Sequence, residues 1–367
     1  MAEAVRAALG PIARAARTAT AWSRGAIDYF APAASGTHVS YGHARLPGPH
    51  ELAHGGIVKL QSLEREFPNT PFGFNVLYLV SSGLPAGAVT LAKWAKRKGA
   101  RVIVNQNGVA YPGWHGPGWE RVNEPMRELL GLADHVFYQS AFCKASADQF
   151  AGPATAPWEV LHNAVDTAVF TPAPGRPPRA LTLLAAGSVQ HWYRYEVAVK
   201  TVDELRRRGQ AVKLIVAGRL AWRPTRSDAE REARRLIEEL RLQDSIDLPG
   251  PYSQADAPAL YQRADILLHT KYNDPCPTVV IEALASGLPV VYSATGGVPE
   301  LVADAGIGVV TEVSYQRDYP PSPAALADAV IAVDRDRDRL AARAREHAQS
   351  RLNLDGWMAR HRALFAA

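Results

Sequence analysis

The sequence predicts an α/β protein built from two doubly wound parallel-sheet halves. Three observations predict it. The chain has 367 residues, room for two domains at ~100–200 residues each. Short apolar runs alternate with longer mixed stretches, and the order strand, helix, strand builds parallel sheets covered by helices on both faces. Near the middle, Thr171-Pro172-Ala173-Pro174-Gly175-Arg176-Pro177-Pro178 interrupts the alternation and reads as an inter-domain linker.

The elements follow in order. Val39-Ser40-Tyr41 reads as a first strand, and Asn75 to Val80 as a buried strand ending in Ser81-Ser82-Gly83. Ala88 to Lys98 reads as a helix closed by Gly99, which supplies the left-handed stop a helix end favours. Arg101 to Val104 and Asp134 to Gln139 are further strands, the second followed by a helix from Ser140 to Phe150. Beyond the proline-rich stretch, strands are expected at Leu181–Ala186, Val212–Ala217, Ile246–Leu248, Ile266–His269, Pro289–Tyr292 and Ile307–Val310. Helices are expected between them at Glu196–Arg208, Ala229–Leu240, Ala257–Arg263 and Thr278–Ala285, the last stopped by Gly287. In such sheets ligands sit outside the carboxyl ends of the strands, and a cleft between two halves doubles that surface.

Composition bounds the function. Hydrophobic residues make up 47% and charged residues 21%, enough for a sizeable core and incompatible with disorder, a collagen-like repeat or a coiled coil. The longest apolar stretches, Phe74–Val80 and Ile266–Leu268, are far too short to span a bilayer. With only Cys143 and Cys276 there is no disulfide framework, so a reducing, cytoplasmic compartment is expected. The net charge of +5 fits an anionic ligand or membrane surface and is too small and spread out for nucleic acid. Residues 1–24 are rich in Ala and Arg, with Glu3 as the single acid and Val5, Leu9, Ile12 and Ala16 at helical spacing. Gly10, Pro11 and the scattered arginines break up the apolar core a secretory signal needs. This segment reads as a basic helix, either packed on the first domain or making peripheral contact with anionic lipid at the inner face of the membrane.

The most informative segment runs from Tyr272 to Val291. Asp274 lies in a loop just after a strand, and Glu282 about one turn inside the next helix. Pro277 and Thr278 suit a helix start. The first backbone amides, at Thr278 and Val279, form a natural site for a phosphate or sugar hydroxyl. A carboxylate at Glu282 can accept two hydrogen bonds from a vicinal diol such as a ribose. Read alone, an acid pair favours a capped helix with two solvated carboxylates.

The full string resembles the signature of the retaining glycosyltransferases of family 4, which have the two-domain GT-B fold. It carries two acids eight positions apart, a small-residue helix, then Gly287-Leu288-Pro289-Val290-Val291. The likeness continues in Gly296-Gly297-Val298-Pro299-Glu300, Ala264-Asp265-Ile266, Val216-Ala217-Gly218-Arg219 and His162-Asn163-Ala164-Val165-Asp166, and covers most of residues 100–365. It implies Rossmann-like domains facing a cleft: an acceptor-side domain over residues 1–172 and a donor domain over 173–352. Residues 353–367 would form a helix crossing back to the first domain, with Trp357 as a buried anchor.

The resemblance also implies roles. Arg194 and the Thr278 and Val279 amides would hold the donor diphosphate, Arg194 as a bidentate partner. Ser188 stands where relatives often have an arginine, so Arg219 is a candidate for the missing charge. Glu282 would take the ribose, and Asp274 and Asn107 the donor sugar, Asn107 standing where relatives often have a histidine. Gly55 and Gly56 would let the backbone approach the donor closely. Trp114, His115 and Trp119 lie in an irregular loop, where aromatics either stack on an acceptor sugar or serve as packing anchors, Trp114 and His115 being the acceptor candidates. Arg194, Asp274 and Asn107 are thus the expected catalytic groups. The implied activity is transfer of a hexose, with retention, from a UDP- or GDP-linked donor to a sugar or lipid-linked acceptor in polysaccharide, glycolipid or glycoconjugate synthesis. No cofactor is expected and no metal, because the expected cleft segments hold no Asp-x-Asp. A catalytically weak nucleotide-sugar binder and a sugar-nucleotide epimerase of the same fold are the alternatives. A dinucleotide oxidoreductase is set aside, since Ser81 to Gly87 does not form a Gly-x-Gly-x-x-Gly turn.

Overall fold

The computed structural model describes residues 23, 35–48, 51, 55–175 and 180–366. The chain divides into two compact units, one of residues 1–161 with 358–367, the other of residues 162–357. The expected basic helix at residues 1–24 falls, but for Ser23, outside the described residues.

The first unit holds a five-stranded parallel sheet in the order β1 (Val39–Ser40), β2 (Val76–Val80), β3 (Arg101–Gln106), β4 (His135–Tyr138) and β5 (Trp158–Val160). β2 and β4 are buried along their whole length, which is why they read as unbroken apolar runs. Helices α1 (Gly55–Glu64), α2 (Ala88–Arg97), α3 (Pro112–His115), α4 (Trp119–Leu132) and α5 (Ala141–Phe150) connect them. Ser140 caps α5 by accepting the Cys143 amide at 3.0 Å.

The second unit holds six parallel strands, β6 (Leu181–Ala186), β7 (Val212–Ala217), β8 (Ile246–Gly250), β9 (Ile266–His269), β10 (Val290–Ser293) and β11 (Gly306–Val309). Their order is β11-β10-β9-β6-β7-β8. The chain builds outward from β6 in one direction, then returns to lay β9 on its other side, so the strand order reverses between β6 and β9. The helices here are α6 (Trp192–Arg207), α7 (Arg226–Glu239), α8 (Ala257–Gln262), α9 (Thr278–Ala285), α10 (Val298–Val302), α11 (Pro323–Arg335) and α12 (Arg337–Arg351). Two apolar clusters pack this sheet: one gathers α9, α10 and α12 residues such as Ile281, Leu301 and Ala344, the other α6, α7 and α11 residues such as Val199, Ala233 and Val330.

Several boundaries differ from expectation. The units divide at 161/162 rather than 172/173, because residues 163–170 pack on the second unit. There the Asn163 side chain donates to the Cys276 carbonyl at 2.8 Å, Val165 bonds Leu352, and Phe170 lies edge-on to Tyr261. The last helix, α13 (Leu354–Ala366), begins in the second unit and belongs to the first from Met358 on. Trp357 is buried on the second-unit side of that division. Residues 358–366 lie in the first unit, where His361 and Phe365 pack edge-on to Tyr78 and Arg362 pairs with Glu66. The loop expected around Trp114, His115 and Trp119 is helical: Trp114 and His115 end α3, and Trp119 opens α4 and packs on Phe150.

Candidate active site

The reversal between β6 and β9 is where a doubly wound sheet opens a crevice at its carboxyl end. The loops leaving these neighbouring strands carry Gly187–His191 into α6 and Thr270–Pro277 into α9. Both are locked by glycines with positive φ. A side chain at Gly218 (φ +134°) would collide with the Gly187 carbonyl, and one at Gly296 (φ +71°) with the Asp274 carbonyl.

Asp274 sits in the middle of this surface, 7% exposed. His269 Nε2 lies 3.1 Å from Oδ2 and Lys271 Nζ 3.0 Å from Oδ1. Burial alone would push the Asp274 carboxyl up; Lys271, His269 and Arg194 outweigh it and hold the group far below the usual carboxylate range. An ionised carboxylate only accepts, so His269 presents its proton on Nε2. Burial lowers the His269 pKa despite Asp274, which keeps the imidazole neutral near pH 7. Asn273, at φ +48°, aims its neighbour into the site and is held by Thr295 and Ser314.

Arg194, in the first turn of α6, is 8% exposed. Nη1 donates to the Ser188 carbonyl at 2.7 Å and to Gln190 Oε1 at 3.3 Å, while the buried Nε–H finds no acceptor. Arg219 follows β7 and is exposed.

Glu282 is buried inside α9. Tyr261 donates to Oε2 at 2.7 Å, and its hydroxyl also lies 3.2 Å from the Val279 carbonyl. Burial pushes the Glu282 carboxyl up, against hydrogen bonds from Tyr261 and Gln254. Tyr252, whose phenol burial also pushes up, feels the Glu282 charge and contacts the Gly187 backbone. The half-buried Thr278 and Val279 open α9, whose preceding Pro277 offers no side-chain cap. Arg194, Asp274, Thr278, Val279 and Glu282 therefore all stand on the loops and helix starts after β6 and β9.

Gly55, Gly56 and Asn107 gather separately, at the carboxyl end of the first sheet. Gly56 abuts Ser82, leaving no room for a side chain. The Asn107 amide is already committed. Its Oδ1 accepts from Lys59 at 3.0 Å and from Gln139, and its Nδ2 donates to Ser82. Lys59 also donates to Asn105, which donates to Tyr78, which meets His361 at 2.9 Å. Asn107 is thus the outermost member of a buried polar network rather than an isolated sugar contact. His115 is exposed and Trp114 half-buried.

Lys271, His269 and Tyr261 were not singled out from the sequence. Lys271 stands three residues before Asp274 and His269 ends β9, so their proximity follows once that loop is seen to turn sharply. Tyr261 reaches Glu282 from another helix, a contact no spacing rule encodes. Among the described residues no group of three or more His, Cys, Asp or Glu could hold a metal ion. No described helix is long and apolar enough to cross a membrane, and Cys143 and Cys276 are buried and form no disulfide.

Comparison with known proteins agrees with this geometry. Residues 169–351 match the family described as Glycosyl transferases group 1. A D-inositol 3-phosphate glycosyltransferase of Salinispora arenicola is 31% identical over 170 residues, 42% of this chain and 38% of that protein. A putative colanic acid biosynthesis glycosyltransferase of Escherichia coli is 29% identical over 150 residues, 39% of this chain and 35% of that protein. The chain thus spans little more than a third of the length of these curated relatives. Among solved structures, Anabaena Alr3699/HepE in complex with UDP-glucose superposes with a TM-score of 0.65 at 18% identity, over 80% of this chain and 79% of that one. Sucrose-phosphate synthase from Thermosynechococcus elongatus does so with a TM-score of 0.65 at 17% identity, over 83% and 75%. The chain has the two-domain, Rossmann-like GT-B fold, and its residues 169–351 are similar to the glycosyl transferases group 1 family.

Proposed function

We propose that this protein transfers a hexose from a nucleotide-sugar donor to a hydroxyl of a sugar or lipid-linked acceptor, with retention at the anomeric carbon and without a metal ion. The observation that carries this reading is that a buried guanidinium, Arg194, acts on the buried carboxylate of Asp274 where the second sheet reverses, with a second buried carboxylate, Glu282, on the helix that follows Asp274. Glu282 takes the ribose diol, using the carboxylate capacity that Tyr261 and Gln254 leave over. Arg194 and the first amides of α9 face the diphosphate, where charge builds as the glycosidic bond breaks. Fixed donors there stabilise the leaving group without reorganising. Asp274, oriented by His269 and Lys271, accepts from a hydroxyl of the donor sugar. Asn107, Gly55 and Gly56 are assigned to donor binding, and Trp114 and His115 to the acceptor. UDP is the favoured nucleotide, since the HepE structure is a UDP-glucose complex. The two cysteines form no disulfide, which supports a cytoplasmic site of action, and the basic residues 1–24 support peripheral contact with the membrane that would carry a lipid-linked acceptor.

A thermal-shift panel of UDP, GDP and ADP with their sugars, followed by product analysis at the anomeric carbon, tests the reading. Stabilisation by UDP and a UDP-sugar, and an α-linked product from an α-linked donor, are expected. Stabilisation by none of the nucleotides would refute it.

A further inference from the structure

Lys271 is the charged group in this region that has been given no role toward a ligand. Its Nζ lies 3.0 Å from Asp274 Oδ1, with 17% of the lysine and 9% of the aspartate side chain exposed. The second carboxylate oxygen is already taken by His269. Thr270, beside Lys271, donates its hydroxyl to the Arg194 carbonyl at 2.7 Å, so the start of α6 and the loop after β9 are bound together.

The charges here do not balance around Asp274 alone. Arg194 and Lys271 are two cations, and His269 is neutral. His191, at the start of α6, is also kept neutral by burial and by those same two cations. Besides Asp274, the other acid facing Lys271 is Asp318, from the segment after β11, where Tyr193 hydrogen-bonds it. Burial pushes the Asp318 carboxyl up to about 6, so it is still mostly ionised near pH 7. Arg194 and Lys271 nevertheless converge on the single buried carboxylate of Asp274, so an incoming anion on this loop meets two cations rather than one.

We propose that Lys271 is the second cation of the diphosphate subsite, held by Asp274 until the ligand arrives and shared with the phosphates afterwards. This rests on the nucleotide-sugar reading above for the identity of the ligand. Lysine suits the part, being a mobile point charge on a flexible stem. The exposed Arg219 does not, because a solvated charge is screened and contributes little.

Calorimetric titration with UDP, uridine and inorganic pyrophosphate tests the assignment on wild type, Lys271→Met, Lys271→Arg and Arg219→Ala. Lys271→Met should weaken UDP and pyrophosphate ~10–100-fold and leave uridine unchanged, the loss expected for a charged hydrogen bond. Lys271→Arg should stay within about threefold of wild type, as should Arg219→Ala. Equal loss of uridine and UDP in Lys271→Met would mark a merely structural lysine and overturn the proposal, as would full retention of pyrophosphate binding or transfer of the effect to Arg219. If wild type binds pyrophosphate through Lys271 but no nucleoside diphosphate, the subsite stands and the nucleotide-sugar reading falls.

Discussion

Tyr261 donates its phenolic proton to Glu282 Oε2 across 2.7 Å, and both residues are shut away from solvent. A hydrogen bond this short to a buried carboxylate fixes its rotamer before any ligand arrives. Gln254 donates to the same carboxyl, so two side chains hold it. Preorganisation of this kind lowers the ordering cost of binding.

If Glu282 accepts from a ribose diol, Glu282→Ala should weaken the nucleoside diphosphate itself ~10–100-fold, and not the sugar-bearing donor alone. Tyr261→Phe keeps the carboxylate and should cost less, about threefold to tenfold, through lost orientation. Titration of both variants with UDP checks this. Unchanged UDP affinity in a folded Glu282→Ala would make the residue structural.

Arg194→Ala should lower kcat by ~10²-fold or more with a smaller change in KM, because the leaving diphosphate gains charge in the transition state. Steady-state kinetics decide it. A pure rise in KM would reduce Arg194 to a ground-state contact.

Turnover should survive a chelator. The chain's Asp-x-Asp run, Asp334 to Asp338, lies where α11 meets α12, and Arg337 and Arg339 pair with Asp334 and Asp336. Positive charge at the diphosphate is expected from side chains and helix-end amides instead. Activity abolished by EDTA and restored by magnesium or manganese would overturn this.

Asp318 gives a pH signature. Its carboxyl is raised to about 6, so its favourable contribution is complete below the unfolded value near 4 and is lost as pH rises through 6. Asp318→Asn should therefore raise Tm at pH 8 and leave it nearly unchanged at pH 4. Discounted for partial exposure, the gain is ~1 kcal/mol, or about 2–4 °C. Equal gains at both pH values would mean the carboxyl is not the cause.

In the first unit, Tyr78→Phe removes a hydroxyl that accepts from Asn105 and meets His361 inside the core. Leaving those groups unmet should cost ~1–3 kcal/mol of stability. Chemical denaturation measures it, and a neutral outcome would show that the network relaxes around the gap.

The second unit was legible almost residue by residue. Leu181–Ala186, Val212–Ala217, Ile266–His269 and Thr278–Ala285 form the elements their apolar runs predict, because fully buried parallel strands and a buried helix carry few polar interruptions. Helix α4, which holds Pro125 and Gly131, matches no element expected from the sequence. Helices α11 and α12, rich in Ala, Asp and Arg, carried no motif to call attention to them. At the site, Asp274 and Glu282 announced themselves by spacing and by the glycine and proline frame around them. Lys271 did not, since a single lysine carries no pattern and its meaning comes from lying against a buried carboxylate. The committed state of Asn107 was equally unreadable, because Lys59, Ser82 and Gln139 come to it from three separate segments.

The last turns of α13 belong to the unit that contains the beginning of the chain. On the ribosome, synthesised from its amino end at ~5–20 residues per second, that unit has its strands long before it has Phe365 to cover Phe67 and Tyr78. The second unit, continuous from 162 to 357, can close on itself while the first still waits with an open apolar face. The core of the first unit thus draws on a segment that follows the whole of the second unit along the chain.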